Sequence, residues 1–294
     1  MTDSAMHTPR VIGLLHPGEM GAAVGRCLTE RGHTVLWASE GRSAQTAARA
    51  AAAGLTDAGT VAGLADRAEV ILSVCPPHAA RDVARAVRGF RGLFVDANAI
   101  SPDTADGIAL LVSQDGADYV DGGIIGPPPA TAGSTRLYLS GRRADEVRGL
   151  FEGARLDARV IDGGDFSASA IKMAYAAWTK GSAALLLAAR ALAASAGVED
   201  ALLGEWRLSQ PDLDRRSRDS ARSALAKGWR WVAEMEQIAE AMAAARLPDG
   251  FHRAAADIFR RSPRTARAAD VAVREVMAAL TGDTTLTGDT TQGG

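Results

Sequence analysis

At 294 residues the chain has room for one large domain or two of medium size, and an apolar fraction of 47% supports a substantial core. A charged fraction of 23% with a formal net charge of -2 gives no reason to expect nucleic acid or an acidic membrane surface as partner. Cys27 and Cys75 sit in apolar segments, MTDSAMHTPR lacks the apolar run of a signal peptide, and the most apolar helical stretch, 181–189, is too short to span a bilayer, so the expectation is a cytoplasmic globular protein.

Residues 11–15, VIGLL, form an apolar run suited to a strand buried on both faces. His16-Pro17-Gly18-Glu19-Met20-Gly21 turns the chain, and Met20, Val24, Cys27 and Leu28 then recur at helical spacing up to a stop at Gly32. Strand, glycine turn and helix make the first crossover of a dinucleotide fold. Gly18 lets the backbone approach a pyrophosphate, Gly21 lets the helix pack on the strand, and the free N–H groups of the first turn attract the anion. His16 replaces the first glycine of the G-x-G-x-x-G fingerprint, so an ordinary strand-to-helix turn stands as the alternative.

A second strand is expected at 34–38, an alanine-rich helix up to Ala53, a buried strand at 70–74, and a helix at 78–87. A strand at 93–95 leads to Asp96 and DANAISP, where Pro102 is placed to begin a helix ending near Gln114. Short strands follow at 119–120, 136–139 and 159–161, with a helix at 145–151. This alternation predicts an α/β Rossmann domain, a doubly wound and mainly parallel sheet, over residues 9–164. Beyond Asp165 the strand signal ends, and an all-α domain is expected over 165–281. It opens with a helix at 167–196, about 45 Å long, followed by helices at 228–245, 251–261 and 266–280. The segment 282–294, which carries a second TGDTT, is expected to be disordered.

Ligands of open α/β sheets bind at the C-terminal strand ends. Three such loops are available here: the Gly18 turn, Cys75-Pro76-Pro77-His78, and Asn98 to Pro102. At the end of the second strand, where NAD-specific folds place Asp or Glu, the chain has Ala38-Ser39 with Arg42 and Ser43 close behind. A hydroxyl and a guanidinium suit a 2′-phosphate, which favours NADPH over NADH, although Glu40 lies nearby. Lys172 sits among apolar neighbours in IKMAYAAWTK, either buried for a purpose or snorkelling at a helix edge. No His/Cys/Asp cluster has metal-ligand spacing.

The order of these motifs resembles the β-hydroxyacid dehydrogenase superfamily, which includes 3-hydroxyisobutyrate and 6-phosphogluconate dehydrogenases. HPGEMG matches its G-x-G-x-M-G turn, Asp96 to Pro102 its D-x-S-T-x-S-P loop, and Asp121 to Pro127 its D-A-P-V-S-G-G segment. KMAYAAWTKG, RWVAEMEQIAEAM and LPDGFHRAA look most similar to the branch with a poorly characterised phosphogluconate-dehydrogenase-like C-terminal domain. The resemblance implies hydride transfer between NADP and a carbonyl or hydroxyl carbon of a small-molecule substrate (an EC 1.1.1-like activity), with Lys172 as proton donor or acceptor. It also implies a homodimer paired through the long helix. His16, Pro17, Gly18, Glu19, Met20, Ser39, Arg42, Ser43, Cys75, Pro76, Pro77 and Asn98 would hold the cofactor. Asn98 and Ser101 would face nicotinamide ribose and substrate, or else serve as turn and capping residues. Tyr175, three residues beyond Lys172, would share its substrate oxygen or be a core tyrosine.

The departures narrow the substrate. Ile125-Gly126-Pro127 replaces the Ser-Gly-Gly that receives a carboxylate, and neither a branched apolar side chain nor proline can donate to one. Trp231 and His252 would form an outer wall for a larger or less polar carbonyl compound, or belong to the core. An imine reductase and a non-catalytic NADP-binding protein are the alternatives; the former usually lacks lysine at this position.

Overall fold

The structure is a computed structural model and describes residues 8–265 and 269–282. Of the segment 282–294 expected to be disordered, Gly282 forms a turn whose N–H donates to the Ala278 carbonyl at 2.9 Å, and 283–294 lie outside the described residues. By internal contacts the chain divides into two compact units between Met173 and Ala174. No helix among the described residues is long and apolar enough to cross a membrane.

The first unit is built on one eight-stranded sheet, with strands β1 (Val11–Leu15), β2 (Thr34–Trp37), β3 (Thr56–Asp57), β4 (Val70–Ser73), β5 (Leu93–Asp96), β6 (Asp118–Ile125), β7 (Thr135–Ser140) and β8 (Leu156–Val160). Their order is β3-β2-β1-β4-β5-β6-β7-β8, and every neighbouring pair is parallel except β6 with β7. Helices α1 (Glu19–Glu30), α2 (Ala44–Ala52), α3 (Val61–Ala65), α4 (Ala80–Arg85), α5 (Pro102–Ser113) and α6 (Ala144–Leu150) make the crossovers. The strand alternation divides the core in two. Ile12 and Leu14 face a layer with Val24, Leu28 and Val147, whereas Leu15, Leu36 and Ile71 face Leu64, Ala84 and Ile108. Central strands buried on both faces explain why 11–15 and 70–73 read as continuous apolar runs.

The second unit is helical. Helix α7 (Ser167–Ser195) begins within the first unit and continues into the second, which adds α8 (Glu199–Ser209), α9 (Leu213–Ala244), α10 (Gly250–Arg261) and α11 (Ala269–Thr281). The sequence pattern missed β3, α3 and α8, and it placed the start of α9 some four turns late. Trp231 packs its ring edge-on against Phe259, with centroids 5.0 Å apart. His252 is buried at 6% exposure against Gly181, with Nε2 3.4 Å from the Ala177 carbonyl. That core position corrects the expectation of His252 on an open substrate wall. Trp229, by contrast, is exposed and lies under the guanidinium groups of Arg230 and Arg264.

Candidate active site

The turn after β1 is shaped by two tight constraints. His16 has φ 69°, a left-handed conformation that an L side chain adopts at a cost, and it stands where the fingerprint has its first glycine. A Cβ on Gly21 would lie 2.2 Å from the His16 carbonyl oxygen, so only glycine lets α1 start this close to the strand. Gly18 caps α1 and its N–H donates to the His16 carbonyl at 2.8 Å. A Cβ there would meet no heavy atom within 4 Å, so internal packing does not require glycine. Open space lies before the N-terminus of a 12-residue helix, and this cradle fits the pyrophosphate of a dinucleotide.

His16 is half-buried, and its Nδ1 has no hydrogen-bond partner within the chain. Burial, with the Arg42 guanidinium adding to it, pushes the imidazole down to about 4, so the ring is neutral at pH 7. The Cys75 thiol also feels Arg42, but burial and the Asp96 carboxyl outweigh it and push the thiol up to about 12. The charge of Arg42 is therefore felt at both the first and the second ligand loop. Ser43 caps α2, accepting from the Thr46 N–H at 3.2 Å. Ser39 bonds Asp57, whose carboxylate also accepts from the Gly59 N–H at 2.8 Å and is held below the usual range by these bonds. Asp57 was missed by sequence reasoning because it ends a strand of only two residues.

Asn98 ties the second and third loops together. Its Oδ1 accepts from the Cys75 N–H at 2.5 Å, its Nδ2 donates to Ser73 Oγ at 3.0 Å, and its N–H donates to Asp96 Oδ1 at 3.1 Å. With 2% exposure it is a strut between loops rather than a group aimed at a ligand. Ser101 is 1% exposed and caps α5 through the Thr104 N–H, so the capping alternative describes what its hydroxyl does. Beneath them Asp96 is fully buried, its Oδ2 has no partner, and burial raises it to about 7 despite the bonds from Asn98.

Lys172 is half-buried on the first part of α7. A Cβ on Gly123 of β6 would lie 3.0 Å from the Lys172 Cβ and 2.4 Å from the Ala168 carbonyl, so this glycine seats the helix directly on the strand. In the same strand Ile125 is only 4% exposed, which removes its side chain from any open wall, while Gly126 and Pro127 lie at the exposed rim. Tyr175 is 48% exposed and is therefore not a core tyrosine. The unit thus holds a glycine cradle, a guanidinium whose charge is felt there, two cross-braced loops and a lysine seated on the sheet. Such a set can bind a dinucleotide and supply one proton-transferring amine.

Residues 11–148 match the NAD-binding domain family of 6-phosphogluconate dehydrogenase, and residues 193–262 match a domain family of unknown function. Among solved structures, a conserved protein of unknown function, described as similar in structure to 3-hydroxyacid dehydrogenases, is 27% identical. It covers 85% of this chain and 96% of its own, with a TM-score of 0.64. A Mycobacterium tuberculosis 3-hydroxyisobutyrate dehydrogenase with L-serine (18% identity, 90% and 98% coverage, TM-score 0.65) shares the fold. So does an Aspergillus terreus reductive aminase in complex with NADPH and ethyl levulinate (20% identity, 87% and 94% coverage, TM-score 0.54).

Proposed function

We propose that the chain is an NADP-dependent oxidoreductase of the β-hydroxyacid dehydrogenase superfamily, acting on a carbonyl or hydroxyl carbon with Lys172 as the proton-transferring group. The observation that carries the reading is the seating of Lys172 on β6 through Gly123, in the same unit as the open Gly18 cradle. Gly18 and the first-turn N–H groups of Glu19 and Met20 would hold the pyrophosphate, beside His16 and Pro17. Arg42 would meet a 2′-phosphate, and the loop of Cys75, Pro76 and Pro77, braced by Asn98, would border the nicotinamide half. When bound, a nicotinamide cofactor supplies the hydride chemistry.

The lysine's part is electrostatic and then protic. As a carbonyl is reduced, its oxygen gains negative charge; an ammonium at Lys172 would stabilise that oxygen and then give it a proton. In the oxidising direction the neutral amine would accept the proton from the hydroxyl. Tyr175, exposed on the next turn, is available to the same oxygen. A substrate carboxylate would find little to donate to it at the Pro127 rim, since proline lacks an N–H and the Thr135 hydroxyl already donates to the Pro127 carbonyl at 2.5 Å. The reading is therefore a reductase for larger or less polar carbonyl compounds, poor on 3-hydroxyisobutyrate and 6-phosphogluconate.

The protein would act as a homodimer in a reducing cytoplasm, with Cys27 and Cys75 as free thiols. Tyr175, Trp178, Leu185 and Leu192 are all exposed and recur along α7 at intervals of three, seven and seven residues, a heptad-like stripe suited to a helix partner. A monomeric mass by light scattering at micromolar concentration would count against the dimer.

The deciding measurement is cofactor oxidation with a panel of ketones, aldehydes and imines, run with NADPH and NADH. Lys172→Met should keep NADPH affinity and lose at least ~100-fold in turnover. Full activity in that variant would end the catalytic assignment, and imine turnover without ketone turnover would favour the reductive-aminase-like alternative. NADPH binding without turnover of any compound would favour a binding protein.

A further inference from the structure

Asp121, the fourth residue of β6, is completely buried, and three hydrogen bonds converge on its carboxylate. Oδ1 accepts from the Ser169 hydroxyl at 2.6 Å, and Oδ2 accepts from the Ser169 N–H at 2.7 Å and from the Ser140 hydroxyl at 3.1 Å. The Ser140 oxygen accepts in turn from the Ala168 N–H at 3.0 Å. Two N–H groups of the first turn of α7, which have no partners inside the helix, are thus satisfied from strands β6 and β7. Burial raises the Asp121 carboxyl, and the Ser169 and Ser140 bonds oppose that rise.

Capping alone would not need so much. A single serine or threonine beside the first turn satisfies one such group, and a hydroxyl avoids burying a carboxylate. The arrangement instead fixes α7 in two respects at once. Gly123 sets how closely the helix lies on β6, since the Ala168 carbonyl approaches to 2.4 Å of where a Cβ would be. The paired bonds from Asp121 to the backbone and side chain of one residue, Ser169, set the rotation. Lys172 is three residues further on and shares that face; a slip of one residue would swing it by about 100°.

We infer that Asp121, acting through Ser169 and supported by Ser140, is the positioning residue for Lys172. The inference rests on the reading of Lys172 as the proton-transferring group. The carboxylate itself touches neither substrate nor cofactor; it holds the helix that delivers the amine.

The sequence offers an unusually clean test. Of 33 lysines and arginines only three are lysines, namely Lys172, Lys180 and Lys227. Reductive methylation with ¹³C-formaldehyde therefore labels three side chains besides the N-terminus, and Lys180→Arg and Lys227→Arg assign the signals. The full-length protein is compared with Ser169→Ala, Ser169→Thr and Asp121→Ala, with Tm and NADPH Kd measured for each. In Ser169→Ala the Lys172 signal should move by clearly more than the spread between repeat wild-type preparations. Lys180 and Lys227 should stay in place, NADPH affinity should hold, and Ser169→Thr should restore the wild-type signal. Asp121→Ala should produce the larger displacement; if it does not fold, the Ser169 pair decides. An unmoved Lys172 signal in folded Ser169→Ala overturns the positioning role even if Lys172→Met is inactive. An active Lys172→Met enzyme removes the catalytic reading while leaving the measured displacement as evidence of positioning alone.

Discussion

Buried polar groups are handled differently in the two units, and the difference separates what looks functional from what holds the chain together. In the sheet unit many of them gather at the C-terminal ends of β1, β4 and β5 and at Asp121 within β6. There Asp96 keeps one oxygen without a partner, His16 keeps one nitrogen so, and Asn98, Ser101 and Asp121 brace the loops. In the helical unit His252 Nδ1 is likewise left without a partner, but the buried charges are cancelled in place. Arg190, 8% exposed, bonds Glu199 and Ser217 and lies 3.6 Å from Asp214, and Lys180 pairs with Glu234. A paired buried charge costs little more than it returns, so it is a structural device, whereas an under-satisfied one is carried only where something else needs it.

The largest expected effect breaks the comparison on the helical side. Arg190→Met leaves Glu199 and Asp214 without their buried cation and should destabilise that unit by about 3–5 kcal/mol. Urea unfolding followed at the tryptophans, all but one of which lie in α7, α8 and α9, would report it. NADPH affinity should be unchanged. Equal stability of the variant and the wild type would mean that the ion network is ornamental.

On the sheet side the corresponding change should stabilise. Asp96 titrates near 7 in the fold, against an ordinary value of 3.8. Between those values the folded state holds a proton that the unfolded chain has released, so stability falls as pH rises from about 4 to about 7 and then levels. Asp96→Asn removes that loss, and a net gain of about 1–3 kcal/mol at pH 8 is expected after allowing for the new amide's own unmet donor. Thermal unfolding at pH 4.5 and pH 8 should show the variant ahead only at the higher pH. A variant that is less stable at both would mean that the carboxylate is fully compensated.

The uneven legibility of the chain has physical causes. The strand–turn–helix at 11–30 was readable because buried parallel strands are uniformly apolar and the turn needs glycine. The first half of α9 was not, because its buried face is Ser217, Ala221, Ala224 and Gly228 with Leu225 as its one large apolar side chain, too little to raise a hydrophobic signal. Ion pairs one turn apart, Arg218 with Asp214 and Arg222 with Asp219, support it instead. At the site, the motifs singled out Lys172 and Arg42 as candidates and left Asn98 and Ser101 open between ligand contact and turn or capping roles, because their partners are fixed by loop geometry. The Asp121–Ser169 link spans 48 residues and exists only because β6 and the start of α7 come together in the fold.

Cofactor choice gives a smaller effect. Arg42 is a cation whose charge is felt at the glycine turn, and no carboxylate is paired with it among the described residues. Arg42→Ala should weaken NADPH binding by roughly 10-fold, the scale of one partly exposed charge-assisted contact, and leave NADH binding nearly as it was. Fluorescence titration of the two reduced cofactors would measure the ratio. Equal losses for both would place the guanidinium on the shared pyrophosphate, and tighter NADH binding by the wild type would reverse the NADP assignment, with Asp57 as the residue to examine.

The smallest expected effect tests the turn itself. His16 is held at φ 69°, and replacing it with glycine removes a conformational cost on the order of 1 kcal/mol or slightly more. Glycine also loosens the unfolded chain, which returns about 0.5–1 kcal/mol, so at pH 7.5 His16→Gly should be neutral or slightly stabilising. Acid should widen the gap. The imidazole titrates near 4 in the fold against 6.5 ordinarily, so between those values the unfolded chain binds the extra proton and the wild type loses stability as pH falls. Asp96 acts in the opposite sense over much of that window, but it is present in both proteins and cancels from the difference. The advantage of His16→Gly should therefore grow from pH 6.5 to pH 4 and stop growing below it. A constant difference across that range would mean that the ring is not held neutral at the turn, and a large loss at every pH would mean that the imidazole packs where glycine leaves a hole.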